Sequence, residues 1–352
     1  MISKNSFKSK SIGVVGLGSF GTAIASLLSE KNHVIAYARR AELVDEINSN
    51  HSIDGVAINP NIQATQDPEF LCKACDVIFF MVPSSAFIDV TRLFSPFLYP
   101  YHMIIHGTKG LCLNLPEGKS QEDMKVIRRE NILTMSEVIL KETVVVRVGC
   151  LAGPNLAKEL AGGLPAATVV SSKFNEVILQ GQNLLRSEKF QVYGNSDIIG
   201  VELSGVLKNI IAIASGALAG LGLGENAKGL LISRGMVELI YMGNALGGSL
   251  KSFIGLAGIG DLVTTCNSTL SRNYTVGYRL AKGETLAEIQ TTMEEVAEGI
   301  NTVRLMKNFM ESTGTRAPIT ENLYKVLFGD LKIEEAVQYL MKYPFSVDVD
   351  FL

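Results

Sequence analysis

Along the first half of the chain, short β-branched apolar runs at 12–15, 33–38, 77–82, 103–106, 144–151 and 167–171 alternate with helical patterns such as 22–30 and 41–50. Strands joined through helices pair in parallel, because each crossover returns the chain in the same direction. The runs are apolar on both faces, so helices must cover both sides of the sheet, and right-handed crossovers make it doubly wound. Polar and charged residues at 114–129 interrupt the rhythm and predict a surface excursion. After Tyr193-Gly194-Asn195-Ser196 the texture changes. Residues 197–221 carry one long, small-residue-rich helical pattern with Asp197 or Ser196 as N-cap, and further helices are expected at 227–245, 285–290, 303–312, 321–328 and 333–341. The pattern predicts an α/β domain over 11–195 with a mostly parallel, doubly wound sheet, then an all-helical domain over 196–352. No internal repeat is present.

The first βα junction carries Gly16-Leu17-Gly18-Ser19-Phe20-Gly21, directly after a strand and directly before a helix. In that context the spacing is the Rossmann dinucleotide fingerprint. Gly16 permits the tight turn, Gly18 lets the backbone approach a pyrophosphate, and Gly21 lets the helix pack on the strand. The N–H groups at the helix start then receive the phosphate charge. A site that accepts NAD alone places an acidic residue at the end of the second strand. Here that strand ends in Arg39-Arg40, whose guanidinium groups suit a 2′-phosphate, so NAD or NADP is expected. The alternative is that one or both arginines are solvated at the start of the next helix.

Composition narrows the partners. With 352 residues, 47% of them hydrophobic, the chain fills two cores. A net charge of -3 from 32 basic and 35 acidic residues argues against a nucleic-acid partner but leaves room for a small anionic ligand held by local cations. Five scattered cysteines, Cys72, Cys75, Cys112, Cys150 and Cys266, are expected as reduced core thiols. Cys72 and Cys75 have redox or zinc spacing, but no second pair or histidine cluster accompanies them, so no metal is expected. The N-terminus leads straight into the first strand without a signal-like apolar region, and the longest apolar stretch is about 14 residues, short of the roughly 20 of a membrane span. A cytoplasmic protein without stable membrane insertion is expected.

Four further clusters carry candidate chemistry: His106-Gly107-Thr108-Lys109-Gly110, Ala152 to Glu159, Val201 to Asn209, and Gly258 to Cys266, with Ser271-Arg272-Asn273 following at once. Strand ends of an open parallel sheet face the ligand crevice, which places Lys109 and Gly153 beside the nicotinamide. Lys208 is the only charge between Glu202 and Glu225 in an apolar helix. An ammonium so buried acquires a lowered pKa and can exchange a proton with a carbonyl or hydroxyl; the alternative is a snorkelling or salt-bridged lysine. Asp261 is its natural counter-charge. Arg272-Asn273 offers a fork and an amide that match phosphate oxygens, though Arg272 also fits a surface position.

Together these clusters resemble the bacterial-type NAD(P)-dependent glycerol-3-phosphate dehydrogenase family over essentially the whole chain. The resemblance rests on Val206 to Ala214, Asn226 to Gly235 and Gly255 to Leu262, in order and at familiar spacing. It implies reversible interconversion of sn-glycerol 3-phosphate and dihydroxyacetone phosphate, feeding phospholipid synthesis, by a homodimer whose helical domain is like the C-terminal domain of 6-phosphogluconate dehydrogenase. By position it makes Lys208 the proton donor and acceptor, places Ser19, Phe20 and Arg39 on the cofactor, and sets Lys109 between cofactor and substrate. Gly153, Asn155 and Ala157 would line the site, and Asp261, Ser271, Arg272 and Asn273 would hold the substrate, with Arg272 also reaching the cofactor. Asn209 and Thr265 would support them, and Val296 and Glu298 belong to a late cofactor-contacting stretch. Two departures stand out: Asn155 replaces a commoner serine or threonine, and 114–129 resembles an insertion. A β-hydroxyacid dehydrogenase of the 6-phosphogluconate type shares the architecture, but its substrate signatures are missing. A non-catalytic dinucleotide sensor is disfavoured by intact Lys208, Asp261 and Arg272.

Overall fold

The computed structural model describes residues 10–115, 126–293 and 295–342. Eight strands form one sheet: β1 (Ser11–Val15), β2 (Val34–Tyr37), β3 (Ile62–Thr65), β4 (Cys75–Phe80), β5 (Met103–His106), β6 (Arg147–Ala152), β7 (Ala166–Ser172) and β8 (Phe190–Asn195). Their spatial order is β8-β7-β6-β5-β4-β1-β2-β3. From β3 to β6 every pairing is parallel, in the 3-2-1-4-5-6 order of a dinucleotide-binding fold, while β7 turns antiparallel to β6 and carries β8 parallel to itself. Fully buried Val14, Phe79 and Ile105 face one covering layer, and Val15, Ile78, Phe80 and Ile104 face the other, which is why these strands lack polar alternation.

Strands β3 and β8 are absent from the apolar runs noted above. Both lie toward a sheet edge and alternate between buried and exposed residues, so neither reads as a continuous apolar run. The surface excursion expected at 114–129 falls largely outside the described residues. Residues 116–125 lie outside the described part, but its far flank packs inward: Ile127 is fully buried in the helical core, and Arg129 Nε donates to the Leu246 carbonyl at 2.7 Å.

Asp197 is the N-cap of the long helix, accepting from Gly200 N at 3.0 Å. The helices that build the site are α1 (Ser19–Ser29), α2 (Ile198–Gly220), α3 (Glu225–Ala245), α4 (Asp261–Asn267), α5 (Arg272–Ala281), α6 (Glu298–Thr313) and α7 (Pro318–Phe328). At 23 residues α2 is long and apolar enough to cross a membrane, yet 89% of its most apolar window is buried inside the protein. Its neighbours explain this: α3, α5, α6 and α7 surround it, and the glycines at 216 and 277 let α2 and α5 cross backbone to backbone. A methyl on Gly216 would run into the Tyr274 carbonyl, and one on Gly277 into that of Ile213.

Candidate active site

The glycine turn has the backbone its residues demand. Gly16 sits at φ 98°, where L side chains are strained, and a methyl on Gly21 would collide with the Gly16 carbonyl. Gly18, extended at the N-cap of α1, has open space where a side chain would be, and no side chain caps the helix. An uncapped helix start beside an open glycine fits a pyrophosphate, whose oxygens accept from the free N–H groups. Phe20 lies against Gly107, where a methyl would come within 2.7 Å of its ring. Ala157 opens a short helix packed against α1. Arg39 and Arg40 are both exposed just beyond β2. The sole ion pair described for either, Arg40 to Asp54 at 3.9 Å with both side chains mostly exposed, is too solvated to hold the guanidinium.

Residues from both sides of Asn195 converge beyond the ends of β5 and β6. Lys109, three residues past β5, donates to Asp261 Oδ2 at 2.7 Å and to the Gly153 carbonyl, one residue past β6, at 3.3 Å. Lys208 on α2 donates to Asp261 Oδ1 at 2.5 Å and also to the Thr265 hydroxyl. That hydroxyl lies one helical turn beyond Asp261 and bonds back to the Asp261 carbonyl at 2.6 Å. Asp261 itself begins α4 after a wide π-type turn at Leu256–Gly260, a rare geometry that aims it at α2. Lys208 is 3% exposed and Asp261 1%, whereas the Lys109 side chain keeps 23%.

Burial pulls the Lys208 pKa down to about 8, with Lys109 adding to the shift and Asp261 opposing it. Burial alone would raise Asp261, but the two lysines outweigh it and hold the carboxylate below its ordinary range. The arrangement is an ionised carboxylate gripping two ammonium groups, one of which, Lys208, gives up its proton far more readily than an ordinary lysine. Cys266 beside them is an inert thiol, pushed up to about 12 by burial.

Other candidates are already engaged within the chain. Asn155 Nδ2 donates to the Ala167 carbonyl at 2.8 Å, which ties the loop after β6 to β7. Gly153 stands at φ 150°, where a methyl would press on that same carbonyl. Ser271 caps α5, accepting from Tyr274 N at 3.3 Å, and the Asn273 amide oxygen accepts from Gly299 N at 2.9 Å at the start of α6. Asn209 is buried one residue after Lys208. Glu298 accepts from Ser84 N at 2.9 Å and from the Ser84 hydroxyl, capping a helix of the sheet domain. Val296 offers its carbonyl to Arg272 Nη1 at 3.0 Å.

Sequence reasoning missed Glu295. Its carboxylate accepts from Ser19 Oγ at 2.5 Å, 276 residues earlier in the chain, and pairs with Arg272 Nη1 at 3.1 Å, so it bridges the glycine turn and the arginine. Nothing local in the sequence announces such a contact. His106 and Glu202, both named only as flanks of motifs, also turn out to meet.

Two family models match, the N-terminus of NAD-dependent glycerol-3-phosphate dehydrogenase over residues 11–178 and its C-terminus over residues 197–338. A glycerol-3-phosphate dehydrogenase [NAD(P)+] of Teredinibacter turnerae is 38% identical over 344 residues, covering 96% of each chain. The one of Staphylococcus epidermidis is 36% identical over 342 residues, covering 95% of this chain and 98% of its own. Among solved structures, glycerol-3-phosphate dehydrogenase from Coxiella burnetii superposes with a TM-score of 0.83 at 32% identity, covering 95% of this chain and 99% of that one.

Proposed function

Since the chain belongs to the NAD-dependent glycerol-3-phosphate dehydrogenase family, we propose that Lys208, Asp261, Lys109 and Arg272 carry out that family's reaction on this scaffold. The activity is the reversible interconversion of sn-glycerol 3-phosphate and dihydroxyacetone phosphate with NAD or NADP, supplying glycerol 3-phosphate for phospholipid synthesis. The observation that carries the assignment of roles is the buried Lys208–Asp261–Lys109 triad, open to the crevice on the Lys109 side.

The glycine turn Gly16–Gly21 would hold the dinucleotide, which would supply or accept the hydride at the substrate's second carbon. Lys208 gives its proton to the oxygen on that carbon in reduction and takes it back in oxidation. Asp261 keeps Lys208 charged in a site that would otherwise neutralise it, and Lys109 adds a fixed positive charge where the oxygen gains electron density. Thr265 holds the Lys208 ammonium from one side, fixing its direction. Arg272, backed by Ser271 and Asn273 at the start of α5, takes the substrate phosphate, and it exchanges Glu295 for that phosphate on binding. Asn209, Gly153 and Asn155 shape the wall, while Ser19, Phe20, Arg39, Arg40, Ala157, Val296 and Glu298 border the cofactor. A cytoplasmic homodimer completes the reading. Light scattering of the purified chain tests the dimer.

The direct experiment follows NADH and NADPH consumption on adding dihydroxyacetone phosphate, for wild type and Lys208→Ala. Wild type should consume at least one cofactor, and the variant should lose about 10²- to 10⁴-fold in kcat, the range of a single general acid. An inert wild type, or a fully active variant, would overturn the reading.

A further inference from the structure

One buried histidine–carboxylate contact takes no part in the chemistry above. His106, the last residue of β5, is 1% exposed and points Nε2 at Glu202 Oε1 at 3.0 Å. Glu202, on the second turn of α2, is 6% exposed and also accepts from Ser136 N at 3.0 Å, at the start of helix Met135–Glu142. The Ser136 hydroxyl stands 3.1 Å from His106 Nε2. His106 Nδ1 and Glu202 Oε2 have no partner, and they are the only such buried side-chain atoms among the described residues. Around them the packing is apolar, with Phe87 edge-on to the imidazole at 5.7 Å.

Desolvating a carboxylate and an imidazole consumes most of what their contact returns, and a pair with unsatisfied atoms is a poor source of stability compared with apolar side chains of the same shape. What such a pair does supply is direction: apolar surfaces slide, hydrogen bonds do not. Its position gives that direction a use. His106 is three residues from Lys109 along a segment pinned by Gly107 N to the Phe80 carbonyl at 3.0 Å and by the Thr108 hydroxyl to the Val82 carbonyl at 2.6 Å. Glu202 lies six residues, a little under two turns, before Lys208 on the same helix. Between the two anchors α2 presents Gly205, where a methyl would rest 3.4 Å from Ala152 and 3.9 Å from the Lys109 stem, a smooth seam with nothing of its own to set register.

We propose that the His106–Glu202 pair is the positioning element of the active site, fixing how α2 seats on the end of β5 so that Lys208 and Lys109 meet opposite oxygens of Asp261. The inference rests on the roles given above to those three residues. His106 and Glu202 act only through the lysines and touch neither substrate nor cofactor.

The test replaces the pair by apolar side chains, His106→Leu with Glu202→Met, in the full-length chain. Melting temperature should stay within a few degrees of wild type, while kcat for dihydroxyacetone phosphate reduction drops roughly 10- to 100-fold, the scale of a slip of about 1 Å at a reacting centre. KM for the cofactor should change less than about threefold, because the glycine turn is untouched. A loosened seat admits water to Lys208, so the alkaline limb of the kcat profile should move to higher pH, which a purely structural role would not produce. Glu202→Gln keeps an oxygen for both donors and should recover most of kcat. Should the apolar pair fail to fold, Glu202→Asp, shorter by one methylene, should show the same kcat loss and the same pH displacement. With wild type active and Lys208→Ala dead, unchanged kcat and pH profile in a folded pair variant or in Glu202→Asp would overturn the inference alone. A wild type inert toward dihydroxyacetone phosphate would overturn the functional reading and this inference together.

Discussion

At the residue scale, the account rests on Lys208 and its two neighbours. With a pKa near 8, Lys208 is charged below that pH and neutral above it. Reduction needs the proton present, so kcat for dihydroxyacetone phosphate should fall as pH rises through about 8; oxidation needs it absent, so kcat for glycerol 3-phosphate should rise over the same interval. Asp261 works to raise the Lys208 pKa, so Asp261→Asn should move the reductive limb to lower pH as well as lowering kcat. Stopped-time assays at closely spaced pH values read both effects. Glu295 occupies Arg272 and Ser19, the groups proposed to meet the ligand phosphates, so Glu295→Gln should tighten inorganic phosphate or pyrophosphate severalfold by calorimetry. Unchanged affinity would show that the carboxylate does not shield the arginine. On the proposed reading Arg39 and Arg40 bear on cofactor choice, so their replacement by alanine should cost NADPH roughly tenfold in kcat/KM and leave NADH nearly unaffected.

At the element scale, the legible features were those encoded over short spans. The glycine turn, the strands β1, β2, β4 and β5, the long helix and the charge-free run around Lys208 all announce themselves by periodicity or by a single misfit residue. Strands β3 and β8 did not, because each buries only alternate residues. Helices α4 and α5 stand out in the sequence as motifs and not as helices, since each is short and its N-cap lies inside the motif. The polar stretch at 114–129 looks exposed by composition, but on its described far flank one isoleucine packs into the helical core and one arginine bonds the Leu246 carbonyl. The pairings Ser19–Glu295 and His106–Glu202 join residues far apart in the chain, and no local pattern carries that information. Elements also locate the fold's narrow tolerances. At the crossing of α2 and α5, Gly277→Ala puts a methyl into the Ile213 carbonyl and should lower stability by about 1–3 kcal/mol, read by denaturant unfolding.

At the scale of the whole molecule, the site exists only because sheet and helical parts meet. Lys109 and Gly153 come from strand ends, Lys208 from α2, Asp261 from α4 and Arg272 from α5, so no single element contains the chemistry. Dinucleotide bound to the folded chain alone should stabilise it by about 2.7 kcal/mol at a hundredfold excess over Kd, in wild type and Lys208→Ala alike, because the turn and the lysine are separate parts. Thermal shift with NADPH checks this. The most direct test of the central claim is kcat for dihydroxyacetone phosphate reduction across pH 6 to 10 in wild type and Lys208→Ala at saturating cofactor. Wild type should show a limb falling near pH 8, and the variant should be at least about 10²-fold slower with that limb gone. A variant that keeps the wild-type rate, or the same limb, would contradict it.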